Sequence, residues 1–255
     1  MSETLVRVSR DPDVLAQSAA ARLIVRLLDA QAERGLASVV LTGGRTAKRI
    51  YRAVRESPAR DAVDWRRVEF WWGDERFLPA GDPERNETQA RAALLDALPV
   101  DPARVHPMPG SDAAADPESA AEAYAQALAA AARPGTAVLP HFDLLLLGVG
   151  EDGHVASVFP EHPVAYETRP VAGVRGSPKP PPNRVTLTLP ALNTAEEVWL
   201  LATGPEKARA VGMALIGSAG PVQLPACGVR GTERTLWLVD RAAASEVPAR
   251  FFSLR

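Results

Sequence analysis

Short apolar runs alternate along the chain with segments of helical periodicity, and this alternation restricts the possible folds more than any other feature. Runs typical of buried strands cover residues 38–41, 68–72, 142–147, 198–202 and 236–239, with a further candidate at 185–189. Between them, apolar spacing and capping signals predict helices that begin near residues 12, 46, 86, 117 and 205, with a last helix after Asp240. Strands separated by helices form parallel βαβ units. The sequence therefore predicts an α/β fold with an open, doubly wound sheet.

One helix start rests on a specific side-chain pattern. Asn86 is followed three residues later by Gln89, as in a capping box, and the apolar pattern continues to Leu98. We therefore expect Asn86 to cap a helix that reaches Leu98.

Chain length and composition indicate one domain. With 255 residues, of which 46% are hydrophobic, the chain can bury a core without disulfides or structural metals. We expect a single domain over residues 1–255, with a small lid or subdomain at about 155–185. The sequence is compatible with either a monomer or a homodimer.

Charge, cysteine content and hydropathy exclude several functional classes. A net charge of −2 argues against nucleic acid as the main partner. The single cysteine, Cys227, cannot form an internal disulfide, which favours a reducing compartment. No apolar run approaches the roughly 20 residues of a membrane helix, and residues 1–10 are polar rather than typical of a secretory signal. We expect a cytoplasmic protein without a membrane or nucleic-acid partner.

Three of the predicted strands end in polar loops that contain glycine. These are residues 42–46 (the glycine loop), residues 73–76, and residues 148–154 (the histidine loop). In open α/β sheets, ligands bind outside the carboxyl ends of the strands. We therefore expect the three loops to form one site.

The glycine loop is a candidate anion site. Gly43 and Gly44 allow main-chain N–H groups to approach a phosphate at a helix start, and Thr46 adds a hydroxyl donor. A plain strand-to-helix turn is the alternative. The Walker pattern is absent. The spacing Gly148-x-Gly150-x-x-Gly153 fits a dinucleotide fingerprint, but Pro160 interrupts the helix that such a site needs.

The other two loops offer acid–base and cationic groups. His154, with Asp152 two residues before it, is a candidate general base, because imidazole titrates near neutral pH and a carboxylate can orient it. A structural histidine is the alternative. Asp74 and Arg76 follow another strand, where arginine suits an anionic ligand, although a surface ion-pair cluster is equally typical of this pattern.

Further cations lie around the prolines of residues 177–182 (the proline loop) and near a helix start. Arg175, Lys179 and Arg184 flank the proline loop, and Lys207 follows Thr203-Gly204-Pro205. These side chains either bind an anionic ligand or are solvated surface groups. No zinc pattern or GxSxG nucleophile turn is present, and Ser157 lies close to His154 in sequence without a nucleophile motif.

Taken together, the motifs resemble those of the 6-phosphogluconolactonase family. The resemblance is carried, in the same order along the chain, by LTGGRTA, WWGDERFLPAGDPERN, FDLLLLGVGEDGHVASVFP, GSPKPPPNRVTLTLPALN and LLATGPEKA. These segments extend over residues 42–208 and are specific in combination. Ala47 departs from the proline more common at that position, which affects only the preset start of the helix.

The resemblance implies hydrolysis of 6-phospho-D-glucono-1,5-lactone to 6-phosphogluconate, the second step of the pentose phosphate pathway. It also implies a Rossmann-like three-layer αβα fold with a mostly parallel sheet and a small additional strand region, and no metal or organic cofactor. The family's site residues match the catalytic histidine His154, the DER motif Asp74-Glu75-Arg76, the phosphate-binding Gly43 and Gly44, and the cations Arg184 and Lys207.

These residues support a direct water mechanism. We expect the glycine loop, with Thr46, Arg184 and Lys207, to hold the phosphate, while Arg76 joins them or polarises the ester carbonyl. His154 would deprotonate water, and Asp152 would orient His154. Asp74 would bind a sugar hydroxyl or position the imidazole. The absence of an activated serine or cysteine favours water over a covalent nucleophile.

Two other functions are compatible with parts of the sequence. An isomerase or deaminase acting on an amino-sugar phosphate would share the fold and the phosphate loop. Arg76 and the run from Ala156 to Pro160 distinguish this chain from it. A regulator that binds sugar phosphates without turnover is the alternative from another class, and it would bind the lactone without hydrolysing it.

Overall fold

A six-stranded parallel sheet forms the centre of the computed structural model, which describes residues 2–132 and 138–251. The strand order is β1-β9-β8-β5-β2-β3, and every neighbouring pair is parallel. Its strands are β1 (Glu3–Ser9), β2 (Ala37–Leu41), β3 (Val68–Trp72), β5 (Leu144–Gly148), β8 (Glu197–Ala202) and β9 (Arg234–Asp240). Helices flank the sheet, so the predicted three-layer α/β fold is confirmed.

The helices begin and end where local chemistry directs them. They are α1 (Pro12–Arg34), α2 (Arg45–Glu56), α3 (Asn86–Ala93), α4 (Pro117–Ala131), α5 (Leu189–Leu192) and α6 (Ala208–Ile216). Asp11 accepts main-chain N–H bonds at the start of α1, and Gly35 ends that helix in the left-handed region, with a φ of 72°. Asp116 and Ser119 form a capping box on α4.

The central strands supply the core. The leucines of β5 are completely buried, as are Val40 of β2 and Leu200 of β8. A strand covered on both faces reads as a continuous apolar run, which explains why the sequence predicted these strands well. The sequence did not predict strand β1, because β1 is an edge strand in which only Val6 is buried and which therefore lacks an apolar run.

A second, three-stranded antiparallel sheet lies beside the first. It has the order β4-β7-β6 and consists of Asp74–Arg76, Arg184–Leu187 and Val171–Val174, respectively. The segment at 155–185, expected to be a lid or subdomain, contributes β6 and the start of β7. In the register of β4 and β7, Asp74 faces Thr186 and Arg76 faces Arg184.

Three predicted helical features are wrong. Asn86 does not cap α3, because Arg85 is the N-cap residue and contributes no side-chain bond, while Asn86 Nδ2 instead donates to Asp74. The helix ends at Ala93 rather than Leu98. Residues 241–247 form turns, followed by a short 3-10 helix at 249–251, so the described part of the C-terminus lacks the expected α-helix.

Within residues 2–132 and 138–251, no helix is both long enough and apolar enough to cross a membrane.

Candidate active site

The loops that follow β2, β3, β5 and β8 lie at one edge of the main sheet. Strands β8, β5, β2 and β3 are consecutive neighbours and parallel, so their carboxyl ends face the same way. A pocket of about 270 Å³ opens there, and the residues that line it include Gly43, Gly44, Thr46, Gly148, Thr203 and Lys207. The structure thus brings together loops that are far apart in sequence.

The glycine loop presents main-chain donors at the start of α2. Gly44 precedes the helix with a φ of 99°, a conformation that L side chains rarely adopt. Among the described residues, the N–H groups of Gly43 and Gly44 donate no hydrogen bond. These N–H groups, together with the positive end of the helix dipole, suit an anion.

Polar side chains complete the wall of this pocket. The hydroxyls of Thr46 and Thr203 are 2.8 Å apart and share a hydrogen bond. Burial lowers the pKa of Lys207, with the cation Lys179 acting in the same direction, whereas neighbouring acids, Glu151 first, oppose the shift. The pocket therefore combines a half-buried cation with neutral donors, which is the chemistry of a phosphate site.

His154 and Asp152 form a hydrogen-bonded pair in the histidine loop. Nδ1 of His154 is 2.6 Å from Oδ1 of Asp152, which also accepts the His154 main-chain N–H at 3.2 Å. Burial acts to raise the pKa of Asp152, but the hydrogen bond and charge of His154 outweigh it and hold the pKa well below its ordinary value. An ionised Asp152 favours the tautomer with the proton on Nδ1, which leaves Nε2 as the acceptor.

Glycine at position 150 makes room for this pair. A Cβ at Gly150 would overlap His154 Nδ1 and Asp152 Oδ1. Gly153 turns the chain with a φ of 80°. Of the three glycines in the spacing that fits a dinucleotide fingerprint, Gly150 is explained by the imidazole–carboxylate pair and Gly153 by its positive φ.

Asp74 is buried and binds Ser157 and Asn86. The Ser157 hydroxyl donates to Asp74 Oδ2 at 2.6 Å, and Asn86 Nδ2 lies 3.3 Å from Asp74 Oδ1. Arg184 Nη1 is 3.9 Å from Asp74 Oδ2. Within the described part of the chain, neither Asp74 nor Ser157 hydrogen-bonds to His154. Asp74 is therefore placed to hold Arg184 rather than the imidazole, and the Ser157 hydroxyl already has an acceptor.

Arg76 and Arg184 are cross-strand neighbours in the small sheet. They face each other in the register of β4 and β7, where two cations repel. Burial lowers the pKa of Arg184, Asp74 opposes this, and Arg76 lowers it further. Arg76 Nη1 donates to the main-chain oxygen of Glu84, while its buried Nε has no partner among the described residues. An anionic group between these arginines would relieve their repulsion.

The proline loop folds around Arg184. Nη2 of Arg184 donates to the oxygens of Pro180 at 2.8 Å and of Lys179 at 3.1 Å, and Nε donates to Pro181 at 3.1 Å. Lys179 lowers the pKa values of both Asp152 and Lys207, so its charge acts on the site. Arg175 does not join it, because its guanidinium binds Glu118 at 2.7 Å.

Sequence reasoning missed several residues around the site. Arg45 lines the same pocket as Gly43 and Gly44 and lies 3.4 Å from Glu206, and Thr203 bonds to Thr46. Glu75, the middle residue of the DER motif, matches the family pattern but receives no role from the sequence; it is buried, and desolvation raises its pKa to about 7, against the opposing effects of Arg85 and three main-chain N–H donors. Asn86 was interpreted only as a helix cap, because no local pattern shows a contact made by the folded chain.

A second group of titratable residues lies at the opposite end of the sheet. His141, Asp143 and Glu196 have potential ligand atoms within 4.8 Å of one another. Arg34 pairs with Asp143, and Arg26 pairs with Glu196. Because guanidinium groups already neutralise both carboxylates, this cluster is better described as an ion-pair network than as a metal site.

Comparisons with known proteins agree with the geometry. The family described as glucosamine-6-phosphate isomerases/6-phosphogluconolactonase matches residues 10–237. A 6-phosphogluconolactonase of Streptomyces coelicolor is 61% identical over 249 residues, covering 96% of this chain and 95% of that relative. One of Mycobacterium tuberculosis is 47% identical over 247 residues, covering 96% of this chain and 98% of that relative. The structure of 6-phosphogluconolactonase from Thermotoga maritima has a TM-score of 0.81 at 29% identity, covering 94% of this chain and 100% of that chain.

Proposed function

The chain belongs to the glucosamine-6-phosphate isomerase/6-phosphogluconolactonase family, and from this premise we propose that it hydrolyses 6-phospho-D-glucono-1,5-lactone to 6-phospho-D-gluconate. It is an enzyme of the carboxylic-ester hydrolase class, and this reaction is a step of the pentose phosphate pathway. The observation that carries the proposed mechanism is the Asp152–His154 pair, joined at 2.6 Å on the loop next to the phosphate pocket.

The first chemical step is attack by water on the lactone carbonyl. Asp152 holds the proton of His154 on Nδ1, so Nε2 accepts a proton from water as the water oxygen bonds to C1. The carbonyl π electrons move to its oxygen and form a tetrahedral intermediate. The imidazolium that results is stabilised by the ionised carboxylate of Asp152.

The second step opens the ring. The intermediate re-forms its carbonyl, and the bond between C1 and the ring oxygen breaks. His154 returns its proton to the ring oxygen, which leaves as the hydroxyl of the open-chain acid. The imidazole is neutral again at the end of the cycle, and the carboxylic acid product ionises in water.

The phosphate group anchors the substrate while this occurs. The free N–H groups of Gly43 and Gly44, the Thr46 hydroxyl and the ammonium of Lys207 line a pocket suited to a dianion. Because the histidine loop begins at Gly148 in the wall of this pocket, a bound phosphate places the remainder of the sugar near His154.

The paired arginines serve the same substrate. Arg184 is fixed by the proline loop and by Asp74, and it adds positive charge to the anion site. Arg76, its cross-strand neighbour, has a buried Nε without a partner in the described part of the chain, and is assigned to the phosphate or to the developing oxyanion. Asp74 acts as the anchor of Arg184 and as an acceptor for a sugar hydroxyl.

Water is the proposed nucleophile because the serine that follows His154 closely in sequence already has a hydrogen-bond acceptor. Ser157 is completely buried and donates its hydroxyl proton to Asp74 rather than to His154. A serine nucleophile requires a base within hydrogen-bonding distance.

The test of the proposed function is a comparison of two substrates with the purified chain. Freshly generated 6-phosphogluconolactone is supplied with 6-phosphogluconate dehydrogenase as the coupling enzyme, and glucosamine 6-phosphate is assayed separately for ammonia release. We expect a lactone-opening rate well above the spontaneous rate and no ammonia. Ammonia release without accelerated lactone opening would assign the chain to deamination, and binding of 6-phosphogluconate without either activity would indicate a regulator.

A further inference from the structure

Asn86 connects two parts of the site and has no role in the proposed reaction as described so far. The residue is 2% exposed. Nδ2 donates to the main-chain oxygen of Asp74 at 2.9 Å and lies 3.3 Å from Asp74 Oδ1. Its Oδ1 is buried, has no hydrogen-bond partner among the described residues, and faces Gly43.

The neighbouring acid of the DER motif fixes the main chain of Asn86. Glu75 Oε1 accepts the N–H of Asn86 at 2.7 Å, and Oε2 accepts the N–H of Glu87 at 2.8 Å. Asp74 therefore binds the side chain of Asn86 while Glu75 binds its main chain. Two adjacent acids of β4 set both the position and the orientation of one amide.

Contact with Asn86 explains the glycine at position 43. The φ of Gly43 lies outside the left-handed region, so its backbone conformation does not demand glycine. A Cβ at this position would overlap Oδ1 and Cγ of Asn86. Gly44 differs, because its φ is 99° and no atom lies within 4 Å of a Cβ built there.

We propose that Asn86 is a positioning residue that fixes the glycine loop relative to Asp74 and Arg184. The inference rests on the proposed function, because the distance between the glycine loop and Asp74 matters to a substrate whose phosphate binds the glycine loop while its sugar lies near Asp74. Asn86 acts through Gly43 and Asp74 and contacts no reacting atom. The side chain that position 43 can accommodate therefore depends on the residue at position 86, although the two positions are far apart in sequence.

A double-mutant cycle of Gly43→Ala and Asn86→Ala tests this coupling. Gly43→Ala forces the loop and the amide apart, and we expect kcat/KM to fall ~100-fold, as for a misplacement of about 1 Å. Asn86→Ala removes the obstructing atoms but also the bonds to Asp74, so we expect a smaller loss. The double variant should be more active than Gly43→Ala alone, which is strong non-additivity between contacting residues.

The Tm values of the wild type, the two single variants and the double variant, with and without 6-phosphogluconate, test the contact between Gly43 and Asn86 independently of turnover. We expect Gly43→Ala to lower the Tm and the second substitution to restore part of the loss. If the wild type is active but the double variant loses as much kcat/KM and Tm as the two single variants combined, the positioning role is overturned and the proposed function is not. A wild type that does not open the lactone would overturn the proposed function and, with it, the positioning role in that reaction.

Asn86→Asp separates positioning from packing. This nearly isosteric change replaces the Nδ2 donor with an acceptor facing Asp74 Oδ1, so two carboxylates must share a site. Two ion pairs lie around this side chain. Arg184 pairs with Asp74, and Arg85 pairs with Glu75. We expect the ratio of kcat/KM in this variant to that of the wild type to be low at neutral pH and to recover partly at lower pH, where the two carboxylates share a proton. A profile parallel to that of the wild type would show that Asn86 only fills space.

Discussion

At the scale of single residues, the site depends on carboxylates that hold other groups in place. Asp152 orients His154, Asp74 holds Arg184 and Ser157, and Glu75 fixes the start of α3 through two main-chain N–H groups. Each carboxylate accepts more than one hydrogen bond. Substituting these residues should change orientation or pH dependence before it changes the fold.

Asp152→Asn should lower kcat strongly while leaving the affinity for 6-phosphogluconate nearly unchanged. An amide can donate to Nδ1 and thereby favour the tautomer with the proton on Nε2, which cannot accept a proton from water. We expect a loss of ~100-fold or more, as for other aspartates that orient a catalytic histidine. Steady-state kinetics with a binding measurement on the product checks this. An unchanged kcat would show that Asp152 does not orient the base.

Glu75 should give the folded protein a measurable pH dependence. Its pKa is raised from 4.5 to about 7 in the folded state, so the folded state holds this proton more tightly than the unfolded state. The resulting stabilisation is complete below about pH 4.5 and is lost as the pH rises to about 7. The difference in unfolding free energy between wild type and Glu75→Gln, which does not titrate there, should therefore fall across this interval. A difference that rises with pH would contradict the assigned direction.

At the scale of elements, loops at the carboxyl ends of strands carry the residues of the proposed site, and packed strands keep the loops in place. The histidine loop follows β5, whose leucines are completely buried, and the glycine loop connects buried β2 to α2. Glycines in these loops have different tasks. Gly44 provides a positive φ, whereas Gly43 and Gly150 leave room for side chains that pack against the main chain.

Gly150→Ala should reduce activity with little effect on folding. The added methyl group would overlap His154 and Asp152, and both side chains are partly exposed to solvent rather than packed in the core. We expect kcat to fall ~100-fold for a displacement of about 1 Å. The matched control is Gly73→Ala, because a Cβ there meets its nearest atom, Leu147 Cδ2, at an ordinary 3.7 Å. Equal kcat values for the two variants would contradict this role of Gly150.

At the scale of the whole molecule, chemistry and stability are separated between the two ends of the main sheet. The carboxyl ends carry the pocket and the Asp152–His154 pair. The amino ends carry an ion-pair network, in which Asp143 meets Arg34 and also accepts the main-chain N–H of Ser38 at 2.7 Å. Substitutions at the two ends should therefore affect different measurements.

Asp143→Asn should destabilise the protein without changing kcat. The variant leaves Arg34 beside a neutral group, and breaking a buried pair in this way costs about 3 kcal/mol of unfolding free energy. Chemical denaturation checks the loss. The control, Glu118→Gln, breaks an exposed pair with Arg175 and should cost no more than about 1 kcal/mol. A large fall in kcat for Asp143→Asn would show that the two ends are coupled.

Sequence periodicity predicted the main sheet because its strands are buried on both faces and therefore read as apolar runs, as in β5. It missed β1, whose pairing with β9 leaves most of its side chains exposed. The motifs predicted site roles for Asp152 and His154, which lie in the loop directly after β5, and for Lys207, which ends a short 3-10 helix after β8. They did not reveal the roles of Asn86 or Glu75, since those depend on contacts between β4 and α3 that only the folded chain brings together.

The most direct test of the mechanism is the kcat of His154→Gln on freshly generated 6-phosphogluconolactone. Glutamine keeps a polar side chain of similar size but cannot accept a proton from water at neutral pH. The mechanism predicts a loss of ~10²–10⁴-fold in kcat, the usual contribution of a general base, with 6-phosphogluconate still bound through the glycine loop and Lys207. A kcat close to that of the wild type would contradict the assignment of His154 as the base.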